Sequence, residues 1–261
     1  MSIRLDNGAL RAIALAAALI AGSPLASAAN IKVLTVDNGV GWTHIGALGL
    51  PNVTVTEVSS AAFATTDLGA YDVLFIGETF RDGSVSVPAQ DTLDALAARK
   101  ADIGAWVSAG HGVVALPEPI GNSRFAWLPD ALMPTFGTVY TDSVRVVDPS
   151  HPVMAGLTSA SLSNWGTAAH GVFTSPGGFS VLADDGFGNP ITLATQYGQG
   201  RIVVTAQDAL FHFYYNGSKT AQFTLVQNAV NWVAPVPLPA SVLLFGPAFA
   251  GLVTSKRKRA T

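Results

Sequence analysis

Five short segments limit what this chain can fold into. They are IKVLTV (31–36), VTVTEV (53–58), YDVLFI (71–76), VVAL (113–116) and IVVTA (202–206). Four are largely apolar, and VTVTEV is β-branched throughout but for Glu57, a type that fits a pleated surface. Near-continuous apolar runs bounded by turn residues read as strands buried on both faces, whereas VTVTEV alternates and reads as half-buried. GVGWTHIGAL, after the first strand, opens as a helix. Between the third and fourth strands, Pro88 sits at a helix first-turn position, and Leu93, Leu96, Ala97, Ile103 and Val107 follow at roughly helical spacing to Ala109, with Gly110 as the stop. Strand, helix and strand in alternation predict a parallel sheet covered on both faces, an α/β class. The second half is less regular. A strand is expected over 143–147 and a meander over 165–173, 180–183 and 191–197. A last helix over 220–233 carries Phe223, Val226, Val230, Trp232 and Val233 along one side.

Both ends have a different character. Arg4 and Arg11 precede an apolar run over 12–28 that closes on Ala26-Ser27-Ala28. A basic n-region, an apolar stretch and a small-residue cleavage site define a secretory signal peptide, with cleavage expected near Ala28 or Ala29. At the other end, VPLPAS (236–241) leads into an apolar run and then Lys256-Arg257-Lys258-Arg259. The run over 242–253 reaches only about 17 residues with its flanks, the lower limit for a spanning helix. Pro247 interrupts it. The basic cluster places the tail on the cytoplasmic side and the upstream domain outside. The expected organisation is a signal peptide at 1–28, an α/β domain at 29–233, a Pro-rich linker and sorting motif at 234–241, a hydrophobic transmembrane segment at 242–254 and a basic cytoplasmic tail at 255–261.

The charge is divided in the same way. The chain holds 14 basic and 17 acidic residues. Residues 29–235 hold 8 of the basic and 16 of the acidic ones, so this part carries 8 − 16 = −8, against −3 for the whole chain. An acidic domain lacks the basic footprint that nucleic-acid binding needs. The chain has no cysteine, which excludes a cysteine nucleophile, a thiolate metal site and a redox dithiol.

Two resemblances follow. Val236-Pro237-Leu238-Pro239-Ala240-Ser241, the apolar segment and the terminal basic cluster, paired with a signal peptide, resemble the PEP-CTERM sorting signal, with Leu238 in place of the usual Glu. The motif residues are Val236, Pro237, Pro239, Ala240 and Ser241. The resemblance implies a Gram-negative bacterium and export through the Sec translocon with signal peptidase. It also implies recognition by an exosortase. The protein would be transiently anchored in the inner membrane and then released to the cell surface or an extracellular matrix. In the middle, YDVLFIG, DIGAWVSAGHGVVAL, DPSHPVMAGL, YGQGRIVVTAQD and QNAVNWV occur in an order that resembles class I glutamine amidotransferase-like domains, particularly trehalose-utilisation (ThuA-like) domains. This implies a flavodoxin-like, mostly parallel sheet with helices on both faces. Amidotransferases of this kind carry a cysteine in the turn after the strand matching 113–116. Here that turn is Pro117-Glu118-Pro119, so glutaminase activity is not expected.

In open α/β sheets ligands sit beyond the carboxyl ends of the strands. Three loops there carry Asp37, Asn38 and His44, then Glu118, then Asp208 and His212, with His170 from the irregular half as a fourth contributor. Glu118, Asp208 and His212 are the catalytic candidates, suited to general acid–base or metal-assisted hydrolysis. Asp37, Asn38, His44 and His170 are candidate ligand-binding residues. None of the histidines has H-x-H or H-E-x-x-H spacing, so the sequence names no metal site, and no cofactor is expected. His151 reads as a loop-shaping residue, His111 as exposed at a helix end, and Asp184-Asp185-Gly186-Phe187-Gly188-Asn189 as a hairpin turn. The leading reading is an exported, exosortase-sorted protein with a non-catalytic amidotransferase-like domain and exopolysaccharide as candidate ligand. A secreted carbohydrate-active hydrolase and a membrane-anchored accessory protein of polysaccharide export are the alternatives.

Overall fold

The computed structural model describes residues 30–37, 44–77, 80–81, 84–85, 90–116, 125–132, 134–137, 139–215 and 219–235. The expected strands form. β1 (Ile31–Val36), β2 (Val53–Val58), β3 (Val73–Ile76), β6 (Gly112–Ala115) and β12 (Gly200–Thr205) lie parallel in the order β2-β1-β3-β6-β12. The sheet continues antiparallel through β11 (Pro190–Tyr197), β10 (Ser180–Asp184) and the two-residue β8 (Arg145–Val146), giving eight strands. Two ribbons stand apart: β4 (Phe80–Arg81) with β5 (Ser84–Val85), and β7 (Thr135–Gly137) with β9 (Val172–Ser175). The parallel order, with the chain leaving β1 on one side and returning on the other, is the flavodoxin-like doubly wound arrangement. The terminal hydrophobic segments and the sorting motif at Val236, Pro237, Pro239, Ala240 and Ser241 lie outside the described residues. Among the described residues no helix is long and apolar enough to cross a membrane.

Burial follows the sequence pattern. Leu34, Leu74, Val113 and Ile202 sit in register across four strands, each 0–1% exposed. Each such side chain contributes about 1.5–3 kcal/mol by leaving water. β2 is the sheet edge, and its residues range from half-buried to exposed.

The covering helices use the glycines of the sheet. Arg201 is in register with Gly112 and so shares its face. A Cβ on Gly112 would meet Val233, and Arg201 donates to the Trp232 carbonyl at 2.7 Å. That face therefore takes the last helix, α6 (Lys219–Val233). Gly200, one residue along and on the opposite face, lies against Val107 of α3 (Lys100–Ser108). Helices thus cover both faces.

The single long helix expected over 88–109 is two. α2 (Gln90–Ala98) and α3 are separated at Arg99, whose backbone leaves helical geometry at φ −103°, ψ 17°. Its guanidinium donates to the carbonyls of Phe63 and Thr66 at 2.8 and 2.7 Å. These carbonyls lie at and just after the end of α1 (Ser60–Phe63), so a tertiary bond sets the break. The helix expected after β1 is a short 3-10 turn, Ile45–Leu48. Most of 165–173 is not strand: Ala169 makes isolated bridges, and from Val172 onward the chain pairs with β7 in a separate ribbon rather than with β10. The remaining helices are α4 (Ser159–Leu162) and α5 (Ala209–Tyr215).

Candidate functional site

After β12 the chain makes a short antiparallel contact before α5 begins. Ala169 bridges Gln207, the His170 N–H donates to the Ala206 carbonyl at 3.2 Å, and the Asp208 N–H donates to the Ala168 carbonyl at 3.3 Å. In such a ladder side chains alternate, so those of 168, 170, 206 and 208 share a face. This brings His170 beside Asp208, with Nδ1 to Oδ2 at 3.7 Å. Asp208 immediately precedes α5, and the His212 N–H donates to its carbonyl at 3.2 Å. Residues four apart on a helical turn lie on one side, so His212 completes the group. One nitrogen of each imidazole and one oxygen of Asp208 lie within 4.8 Å of one another. Asp208 and His212 are each 1% exposed, and His170 is half-buried. The exposed ring of Tyr140 lies 5.3 Å from the His170 ring, between centroids.

A second layer of bonds orients the group. His212 Nε2 lies 2.7 Å from the Thr167 carbonyl oxygen. A carbonyl only accepts, so Nε2 carries the proton and, in the neutral ring, Nδ1 carries the lone pair. Thr167 is at φ 119°, a conformation that side chains beyond glycine rarely adopt. It is held there by Asp142, whose Oδ1 accepts from the backbone N–H groups of Gly166, Thr167 and Ala168 at 3.1, 3.2 and 3.1 Å. Residues 205 and 207, which alternate with 206 and 208, belong to a buried polar chain. Thr192 and Thr205 hydroxyls are 2.8 Å apart, and Thr192 also reaches Gln207 at 3.2 Å.

The other candidate residues do not join this group. His44 caps the Ile45–Leu48 turn, accepting from Gly46 N–H at 3.0 Å, and its Nε2 pairs with Glu57 of β2 at 3.0 Å. β2 stands four strand positions from β12, about 19 Å at the usual interstrand spacing. Asp37 has a positive φ of 39° and accepts from Ser60 N–H at 2.7 Å and Thr92 Oγ1 at 3.1 Å, fastening the end of β1 to α1 and α2. Asn38 and Glu118 lie outside the described residues. His111 is half-buried and stacked on Trp106 at 4.7 Å rather than exposed. His151 does shape its loop, capping the turn Pro152–Met154 through Nδ1. Asp185 closes the β10–β11 hairpin. Burial pushes its carboxyl up, but the Asn189 amide and the backbone N–H groups of Phe187 and Asn189 outweigh that and hold it below the ordinary value. Tyr214 is half-buried, and burial raises its hydroxyl above the usual tyrosine value.

A cleft of about 420 Å³, lined by His111, Gln199, Arg201 and the end of α6, opens at the amino ends of β6 and β12. The His170–Asp208–His212 group lies at the carboxyl end of β12, where α/β folds place their ligands. Sequence reading named all three residues but not Asp142 or Thr167, whose roles depend on contacts across 24–45 positions.

Fold and sheet order define the class: an α/β domain with a doubly wound, flavodoxin-like sheet. Solved structures agree. The chain is similar to a glutamine amidotransferase of Thermotoga maritima, with a TM-score of 0.52, 9% identity and coverage of 77% of this chain and 98% of that one. It is equally similar to a cytoplasmic protein of Salmonella typhimurium, with a TM-score of 0.52, 13% identity and coverage of 79% and 100%. A second cytoplasmic protein of that organism gives 0.51 at 13% identity, covering 78% and 100%. At these identities the likeness concerns the fold. No protein-family model and no curated protein sequence matches the chain.

Proposed function

We propose that this is an exported, exosortase-sorted protein of the bacterial surface or extracellular matrix. Its amidotransferase-like domain, akin to trehalose-utilisation domains, binds exopolysaccharide instead of hydrolysing glutamine. The observation that carries the reading is the pairing of a PEP-CTERM-like tail, Val236 to Ser241 with Lys256-Arg257-Lys258-Arg259, with an amidotransferase-like fold in a chain without cysteine. Such a domain has no thiolate to attack glutamine. The acidic middle of the chain fits a life among neutral or cation-bridged glycans better than one on nucleic acid. Co-sedimentation of the full chain, in detergent, with exopolysaccharide purified from its host tests the binding. Retention that competes with soluble fragments of the same polymer is expected. Equal partition with and without polymer would contradict it.

The convergence of His170, Asp208 and His212 favours a second reading, a carbohydrate-active hydrolase using these groups as acid, base or water activator. Release of reducing ends from the same polymer, lost in Asp208→Asn, would replace binding by hydrolysis as the activity.

A further inference from the structure

We propose that His170, Asp208 and His212 form a binding site for a divalent transition metal, zinc by preference. The site stands independently of whether the domain binds or cleaves glycan.

Three observations converge. The first is the donor set. Two imidazoles and one carboxylate are borderline ligands suited to zinc, and the chain has no thiolate to compete. The second is placement. The three donor atoms lie within 4.8 Å of one another, and the His170–Asp208 pair is already at 3.7 Å. A tetrahedral site with bonds of about 2.0–2.1 Å needs ligand atoms about 3.3 Å apart. The remaining gap is about 1.5 Å at most, which small side-chain rotations close.

The third is orientation. A metal-binding histidine characteristically donates its other N–H to a carbonyl or carboxylate, which fixes the tautomer. His212 does so through Nε2 to Thr167. The accepting carbonyl is held in position by a strained residue under three hydrogen bonds to Asp142. A structural imidazole can use any nearby acceptor. Here a loop is constrained to present one. A buried carboxylate also calls for positive charge close by. An ion at the centre engages the carboxylate and both rings at once. His170 is the partly exposed ligand, so the fourth position faces its open side, beside Tyr140, and takes water or a ligand oxygen.

Equilibrium dialysis of the full chain, stripped with chelator and held in detergent, tests the site with zinc chloride as probe. One zinc per chain is expected, with a zinc-dependent rise in Tm. Cobalt(II) in its place is expected to give visible d–d bands of a tetrahedral site without a thiolate charge-transfer band. Affinity should fall at least tenfold in His170→Ala and Asp208→Asn and remain unchanged in His44→Ala. Where a variant fails to fold by circular dichroism, the wild-type stoichiometry, Tm shift and cobalt spectrum still decide. Less than half an equivalent of zinc, an octahedral cobalt spectrum, wild-type affinity in folded His170→Ala, or loss of binding in His44→Ala would each overturn the proposal.

Discussion

At the scale of single residues, the loop before His170 is held by opposing effects. Thr167 at φ 119° stores strain, of order 1–3 kcal/mol for such conformations. Asp142 offsets it with three backbone hydrogen bonds. Thr167→Gly should relieve the strain and stabilise by up to about 1 kcal/mol, after the entropy that glycine adds to the unfolded chain. Asp142→Ala should cost about 2 kcal/mol, since charged acceptors form the stronger hydrogen bonds. Urea unfolding measures both, and a destabilised Thr167→Gly would show that the loop is not strained. His151 gives a pH dependence. Burial lowers its pKa below the ordinary value, Asp148 opposes that shift and Arg201 adds to it. The unfolded chain takes up this proton near pH 6.5, by the usual histidine value, whereas the folded chain resists until lower pH. Across that window the unfolded state binds more protons, so stability rises with pH and is lost on acidification below about pH 6.5. His151→Asn keeps a cap acceptor for Val153 N–H and removes the titration. Its unfolding midpoint should fall less between pH 7 and 5 than that of the wild type, and an identical slope would refute the assignment.

At the scale of elements, three glycines discriminate between packing arrangements. A Cβ on Gly200 would lie 2.0 Å from the Val107 carbonyl oxygen and 2.2 Å from that of His111. Backbone cannot easily yield, so Gly200→Ala should cost about 3 kcal/mol, near the upper end for overpacking. Gly112→Ala, at 2.3 Å from the Val233 carbonyl oxygen, should behave similarly by pushing α6 off the sheet. Gly104 within α3 meets only Pro129 at 3.6 Å, an ordinary contact. Gly104→Ala should therefore stabilise by about 0.5–1 kcal/mol through helix propensity. Calorimetry of the three checks the sign of each, and a stabilised Gly200→Ala would contradict the described packing of α3. The strands were legible because IKVLTV, YDVLFI and IVVTA are apolar runs too short for helices. The break at Arg99 was not, since it depends on carbonyls 33 and 36 residues away. Asp208 and His212 have helical i, i+4 spacing, a local signal that a helical reading of ALFHFYY would have used. His170 was named as a further contributor, but the contact that brings it to them, the bridge between Ala169 and Gln207, has no local signal.

At the scale of the whole molecule, an acidic α/β domain is flanked by basic, apolar ends. The 8 − 16 = −8 charge of residues 29–235 belongs to the part that would remain after both ends are removed. A flavodoxin-like sheet explains how such a domain folds without disulfides, since a core of this size suffices by itself. It does not explain the ends, which we propose serve as an address. Intact-mass spectrometry of the protein recovered from its native cells and their medium is the most direct test of export and sorting. The account predicts a surface or extracellular species that begins near Ala29 and ends within or near residues 236–241. A cell-internal species of the full 26.9 kDa, retaining 1–28 and 242–261, would contradict it.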